Sequence, residues 1–235
     1  MASEVLNYSL EGSTAVLRMD DGKANALSET MISALLESLN RAEQEASAVV
    51  LTGRVDRFCA GFDLKVMTAG PEGVKKLTLH GAALLTRLFG LPMPLIIACT
   101  GHALAGGAQL LLTGDVRIGA VGPYRIGLNE TTIGMPLPVL GMEFARARLA
   151  ITELSRATLG AQIYTPDEAA KMGYLDEARP AAEVLPRAME EAEKLGALSR
   201  QAYAATKQRL RGATLALVQA TLESDMNSLL ALFGS

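Results

Sequence analysis

Hydrophobic and polar positions along this chain repeat with two different periods. Residues 5–10 and 13–19 alternate loosely and are split by Glu11-Gly12, which predicts a β-hairpin. From Ser28, a residue type suited to a helix N-cap, Met31, Ile32, Leu35, Leu36 and Leu39 fall on one helical stripe. Glu37, Asn40 and Arg41 lie outside it. Ala48–Thr52 and Leu95–Cys99 are short, nearly continuous apolar runs, the pattern of strands covered on both faces. Residues 54–62 read as a loop. A second helix is predicted over about 74–89, stopped by Leu91-Pro92-Met93-Pro94. Residues 101–107 turn the chain into a helix beginning near Gly106, and 115–118 and 124–128 read as further strands. Thr165-Pro166-Asp167-Glu168 is a capping box with proline at the first helical position, and Gly173 closes that helix. Beyond Ala181 the pattern is helical, anchored by Leu185, Met189, Leu195, Leu210, Leu215, Leu222 and Leu229. The fold class is α/β: a core over residues 1–180 and a helical C-terminal region over 181–235, with 160–165 reading as a linker.

Composition narrows the functions open to such a chain. The 235 residues are 49% hydrophobic and 20% charged, which supports a continuous core and excludes intrinsic disorder. A net charge of −3 argues against a nucleic-acid partner. No apolar run reaches the roughly 18 residues of a membrane span. Met1-Ala2-Ser3-Glu4 lacks a basic-then-apolar leader, so the expectation is a cytoplasmic protein with no membrane partner. Two cysteines, Cys59 and Cys99, form neither a disulfide framework nor a Cys-x-x-Cys site and read as small buried hydrophobes. With only His80 and His102 besides, no metal centre is expected. His80 reads as solvated and His102 as a turn residue.

Motif searches remove further classes. The chain has no Gly-x-x-x-x-Gly-Lys-Ser/Thr, no Gly-x-Gly-x-x-Gly after a strand, no Gly-x-Ser-x-Gly and no His-Glu-x-x-His. Three segments remain. Phe58-Cys59-Ala60-Gly61-Phe62-Asp63-Leu64 is an apolar loop after a buried strand, with Gly61 free to adopt an unusual backbone angle. Gly101-His102-Ala103-Leu104-Ala105-Gly106-Gly107-Ala108-Gln109 leads small residues into a helix. The N–H groups at a helix start suit a developing negative oxygen, and two such amides on neighbouring turns would form an oxyanion hole worth about 2.7–4 kcal/mol per donor. Gly-Gly before an apolar helix equally fits close helix–sheet packing. Gly127-Leu128-Asn129-Glu130-Thr131-Thr132-Ile133-Gly134 sets one carboxylate in an apolar stretch, where Glu130 fits a catalytic group or a turn cap.

Together, and in this order, these segments resemble the crotonase, or enoyl-CoA hydratase/isomerase, superfamily. Lys23-Ala24-Asn25-Ala26-Leu27, Gly114-Asp115 and residues 165–176 join the match, which covers about residues 5–180. The resemblance implies a crotonase-type spiral of ββα units with C-terminal helices that trimerise, giving a homotrimer or a dimer of trimers. It implies an acyl-CoA thioester as substrate, with coenzyme A part of that substrate and no separate cofactor. The thioester carbonyl would be held by the backbone N–H groups of Phe62 and Gly106. Lys23, Ala24, Ala26, Ala60, Asp63, Leu64 and Lys65 would lie along the CoA moiety, and Lys207 is a candidate phosphate contact or a solvated helix-face charge.

The family's hydratases carry two glutamates, and here the first of those positions is Gln109 and the second Glu130. Hydration divides water activation and proton delivery between two carboxylates. A primary amide is neither acid nor base near neutral pH. One carboxylate suffices to move a double bond, taking a proton from C2 and returning it at C4. The string Gly-Leu-Asn-Glu-Thr-x-x-Gly also resembles the Δ3,Δ2-enoyl-CoA isomerase branch. Glu130 is expected in an apolar pocket lined by Met135, Leu137 and Phe62, raising its pKa by desolvation. The expected activity is conversion of a 3-enoyl-CoA to the 2-enoyl isomer. Hydratase chemistry, or a non-catalytic CoA-ester-binding homologue, are the alternatives.

Overall fold

A computed structural model describes residues 5–231. The hairpin forms as β1 (Leu6–Glu11) and β2 (Thr14–Met19), followed by α1 (Glu29–Glu45). Ser28 caps α1 by accepting the Met31 N–H, as its residue type predicts. Three successive units come next. The first is β3 (Ala48–Thr52), β4 (Asp56–Cys59), the single turn α2 (Leu64–Met67) and α3 (Pro71–Phe89). The second is β5 (Leu95–Cys99), β6 (Gly101–Leu104) and α4 (Gly106–Leu112). The third is β7 (Val116–Ala120), β8 (Ile126–Gly127) and α5 (Val139–Arg148). The chain continues through α6 (Leu154–Ala157), α7 (Pro166–Met172), β9 (Glu177–Arg179), α8 (Ala181–Gly196) and α9 (Arg200–Ala231).

Each unit sends its first strand to a six-stranded sheet, ordered β1-β2-β3-β5-β7-β9. Its second strand goes to a three-stranded sheet, ordered β4-β6-β8. All pairings are parallel except β1 with β2. The result is an α/β spiral of ββα units with a helical C-terminal region. Val50, Ile96, Ala98 and Ile118 face Val184, Ala188 and Ala192 of α8. Val49, Leu51, Leu95 and Ile97 face the main core with Leu35, Leu84 and Leu88. Cover on both faces explains why these strands read as apolar runs rather than as alternation.

Three expectations about the chain's elements need correction. The loop expected over 54–62 contains β4, whose outward Asp56 and Arg57 hid its strand character. The turn expected at 101–107 begins with β6, and a Cβ at Gly101 would run into the Asp56 backbone. Residues 160–165 are no linker. Tyr164 and Ile126 exchange backbone hydrogen bonds of 2.9 and 3.0 Å, tying this stretch to β8. The capping box at Thr165 forms with both of its reciprocal bonds, and Gly173 ends α7 in the left-handed region. No helix among the described residues is long and apolar enough to cross a membrane.

α9 is held to the core by buried charge. Lys207 is neither a phosphate contact nor solvated: its Nζ donates to the Met93 carbonyl at 3.0 Å and to Asp115 Oδ2 at 2.7 Å. Arg211 pairs with Asp115 Oδ1 at 2.7 Å and donates to the Phe89 and Thr113 carbonyls. Asp115 also accepts the Leu95 N–H at the start of β5. Desolvation outweighs the pairing with Asp115 and pushes the Lys207 ammonium down to about 8. One carboxylate therefore serves two buried cations, a helix and a strand. Asp115→Asn should cost about 3–5 kcal/mol, because it leaves both cations buried without a counter-charge. Urea unfolding that shows a loss under 1 kcal/mol would contradict this.

Candidate active site

The second strands of the first two units deliver two turns to one place. β4 ends at Cys59, and β6 ends at Leu104, from which Ala105 leads into α4. Gly61 has φ 96°, and a Cβ on it would approach the Gly106 nitrogen to 3.3 Å. A Cβ on Gly106 would press against the Phe62 ring at 2.9 Å, and one on Gly107 would collide with the Cys59 carbonyl. Close packing and site geometry are therefore one requirement, served by adjacent glycines. Ala105, at φ 48° and ψ −122°, occupies a region that costs a residue with a side chain about 1–3 kcal/mol. Its N–H is bonded to the Gly127 carbonyl at 3.0 Å, which helps fix that conformation.

The segment 23–27 runs beside the first turn. Ala60 donates to the Ala24 carbonyl, Leu27 to the Gly61 carbonyl and Asp63 to the Leu27 carbonyl, at 3.1, 2.8 and 3.3 Å. Asn25 holds this edge from below. It is fully buried at φ 52°, and its Nδ2 donates to the Met19, Arg57 and Phe58 carbonyls. The Phe62 N–H lies on the side of its strand bridge away from Leu27. Among the described residues neither it nor the Gly106 N–H has a partner, the latter being at the first position of α4.

Glu130 enters from the third unit. It follows β8 and starts a 3-10 turn over Thr131–Ile133, its own carbonyl accepting the Ile133 and Met135 N–H groups at 3.0 Å each. Glu130 is 5% exposed, and Gln109 of α4 is 2% exposed. Gln109 Nε2 donates to Glu130 Oε1 at 2.7 Å. Glu130 Oε2 is buried with no partner among the described residues. Desolvation raises the Glu130 pKa above the usual carboxylate range, and the Gln109 hydrogen bond opposes that only in part.

A cavity of about 160 Å³ brings together Ala60, Phe62, Leu64, Gly106, Gln109, Glu130 and Met135. Leu137 is not among its walls; it turns instead toward Gly141, so the expected lining holds for Met135 and Phe62 but not for Leu137. Lys23, Ala24, Ala26, Asp63 and Lys65 also lie outside the cavity. Lys23 and Lys65 are exposed, and Asp63 caps α2 through the Lys65 N–H at 3.0 Å. Thr78 of α3, Pro136, Pro138 and Leu229 of α9 also line the cavity, Leu229 having been read only as a helical anchor, and so does Asn129 of the Gly127–Gly134 segment. Thr78 and Leu229 are ordinary positions on amphipathic helices, and only the fold brings them here. His80 is not solvated: its Nδ1 lies 2.8 Å from Glu29 Oε2. Cys59 and Cys99 are buried, and burial pushes both thiols up to about 12, outside nucleophile chemistry.

The model of the enoyl-CoA hydratase/isomerase family matches residues 9–233. The chain belongs to that family. It is 30% identical over 219 residues to the mouse mitochondrial enoyl-CoA delta isomerase 1, covering 91% of this chain and 76% of the relative. It is 32% identical over 184 residues to a Rhodobacter capsulatus protein named "Probable enoyl-CoA hydratase", covering 77% and 70%. A crystal structure of an enoyl-CoA hydratase/isomerase family protein from Pseudomonas syringae superimposes with a TM-score of 0.94 at 36% identity. It covers 97% of this chain and 99% of that one. An acyl-CoA thioester substrate is consistent with the family, whose members here carry both isomerase and hydratase names.

The buried carboxylate has a consequence for stability. Its folded pKa is raised, so the folded state favours the protonated form, and stability is lost as pH rises through the folded value. Glu130→Gln should therefore melt higher than the wild type at pH 8, by roughly 2–4 °C for each kcal/mol relieved in a chain of this size. The difference should shrink toward pH 4. A melting difference that is constant across this range would show that the carboxylate titrates as it does in the unfolded chain.

Proposed function

We propose that the protein is an acyl-CoA isomerase that moves a double bond from the 3- to the 2-position. The observation that carries this is the pairing at the cavity wall, where the single carboxylate Glu130 is held by an amide, Gln109, and not by a second carboxylate. In this reading the thioester oxygen accepts the Phe62 and Gly106 N–H groups. Glu130 removes a proton from C2, and the charge moves onto that oxygen as a dienolate. The same carboxylic acid then returns the proton at C4. Gln109 cannot exchange protons; it fixes one carboxylate oxygen and leaves Oε2 toward the substrate. A raised pKa suits a group that must accept and release a proton within one turnover. The CoA moiety runs over the 23–27 and 60–65 edges, contacted by Lys23, Ala24, Ala26, Ala60, Asp63, Leu64 and Lys65. CoA is part of the substrate, so the reading calls for no separate cofactor. It includes assembly as a homotrimer or dimer of trimers, which would cover exposed apolar side chains such as Ile151, Leu159 and Leu210.

The test is a panel of 3-enoyl-CoA esters of increasing length. The expected product is the conjugated 2-enoyl isomer, with deuterium entering at C2 and C4 in heavy water. Glu130→Gln should lower kcat by at least 10²-fold, at the lower end of what a positioned acid–base group contributes. A 3-hydroxyacyl product from 2-enoyl-CoA would instead mark a hydratase, and no α-proton exchange would mark a binding protein.

The far wall generates a second expectation. Leu229 borders both this cavity and a smaller one behind it lined by Val218, Leu222 and Met226 of α9. Leu229→Ala should join the two and shift the kcat/KM optimum toward longer acyl chains. An unchanged chain-length profile would remove α9 from the acyl site.

A further inference from the structure

Gly141 sits in the interior of α5, where it is buried and where glycine costs about 1 kcal/mol relative to alanine. Its φ is not positive, so no turn calls for it. The missing side chain has another use. A Cβ there would stand 3.2 Å from both Cδ and Nε2 of Gln109, and 2.8 Å from Leu137 Cδ1. Leu137 is a partly exposed residue, and its flexible tip can swing aside. The Gln109 amide cannot do so freely, because it is buried and its Nε2 is committed to Glu130 Oε1. Nor can α5 easily retreat. Its N-terminus has no side-chain cap from Pro138, and Asp225 of α9 instead accepts the Val139 N–H at 2.8 Å. Near its other end Arg148 donates to the Leu112 and Gly114 carbonyls at the end of α4.

We infer that Gly141 is a positioning residue: it leaves the slot in which the Gln109 amide reaches the Glu130 carboxylate. The inference rests on the reading of Glu130 as the proton shuttle. A methyl group in that slot displaces the amide by tenths of an ångström and weakens the side-chain hydrogen bond that, with the backbone of Glu130 itself, opposes the effect of desolvation on the carboxylate.

A role in packing alone and a role through Gln109 predict different outcomes for Gly141→Ala. Better helix propensity alone would leave the protein equally or more stable, with Glu130 unchanged. Action through Gln109 moves the titration of Glu130 upward. The measurement is the carboxyl ¹³C signal of labelled glutamate in the ligand-free protein, assigned by its loss in Glu130→Gln, together with the acid limb of kcat/KM for a 3-enoyl-CoA. Both midpoints should rise in Gly141→Ala, with kcat/KM at pH 7 falling roughly five- to tenfold, less than the full loss of a hydrogen bond to a charged group because the bond is weakened and not removed. Gln109→Leu should show the same upward shift, and adding Gly141→Ala to it should shift the midpoint no further. Leu137→Ala/Gly141→Ala removes the 2.8 Å collision and carries the test if the single variant does not fold.

An unmoved midpoint in a folded variant, or a shift that adds to that of Gln109→Leu, overturns the inference. Failure of the shuttle reading would look different: Glu130→Gln would retain turnover while the carbon signal still reported the coupling.

Discussion

The close approach of two backbone turns sets everything else in this molecule. The ends of β4 and β6 meet so tightly that a side chain at Gly107 would occupy the Cys59 carbonyl, and one at Gly106 would enter the Phe62 ring. That approach brings two strand-to-helix turns, from separate units of the spiral, to one cavity wall. Ala105 is held in an unfavourable backbone region at the junction, and the cost is met by the surrounding parallel pairing of β6 with β4 and β8. In the proposed reading nothing reactive is needed from the side chains at these turns. Their contribution is the direction in which N–H groups point.

Against that rigid wall the fold sets a carboxylate it does not fully satisfy. Glu130 Oε2 is buried without a partner, and burying a charge unsupported is costly. The rest of the protein shows how such a cost is normally avoided. Asp115, whose side chain is 10% exposed, has Lys207, Arg211 and the Leu95 N–H around it. The contrast between the two acids separates a structural carboxylate from one left available. Asp115 joins α9 to the sheet, and Glu130 receives one neutral amide and an empty side.

Much of this was legible in sequence, for identifiable reasons. Ser28, the Thr165–Glu168 capping box and the apolar strands obey local rules, so their elements appear where the pattern places them. The Gly-rich turns and Glu130 stood out because small residues and a lone carboxylate are unusual in apolar surroundings. β4 and β6 were hidden because each is four residues long and opens on positions that do not read as strand, the outward Asp56 and Arg57 and the side-chain-free Gly101. They are strands through pairing with each other rather than through propensity. Lys207 was misplaced for a related reason. A lysine on a helix normally snorkels to water, and only the position of Asp115, 92 residues away in sequence, shows that this one does not. Thr78 and Gly141 gave no signal and Leu229 gave only that of a helical anchor, since each owes its place at the site to which helices pack together.

Removing Lys207 from the exposed cations changes how a polyanionic ligand could be held by a chain with a net charge of −3. Lys23 and Lys65 remain at the surface, and an exposed ion pair contributes only about 0–1 kcal/mol. Charge there can guide a ligand in but cannot alone hold it. The stronger resource is the fixed edge itself, in which residues 23–27 and 60–63 are stitched by three backbone bonds and locked beneath by Asn25. An edge that is already ordered costs little further entropy when a ligand lies along it, so many weak contacts retain their value. Arg54 strengthens the same edge by donating to the Lys23 carbonyl at 3.0 Å, and its Nε lies 3.6 Å from Asp20 Oδ1. In the proposed reading, order along this edge does more than its exposed charges to hold the CoA moiety.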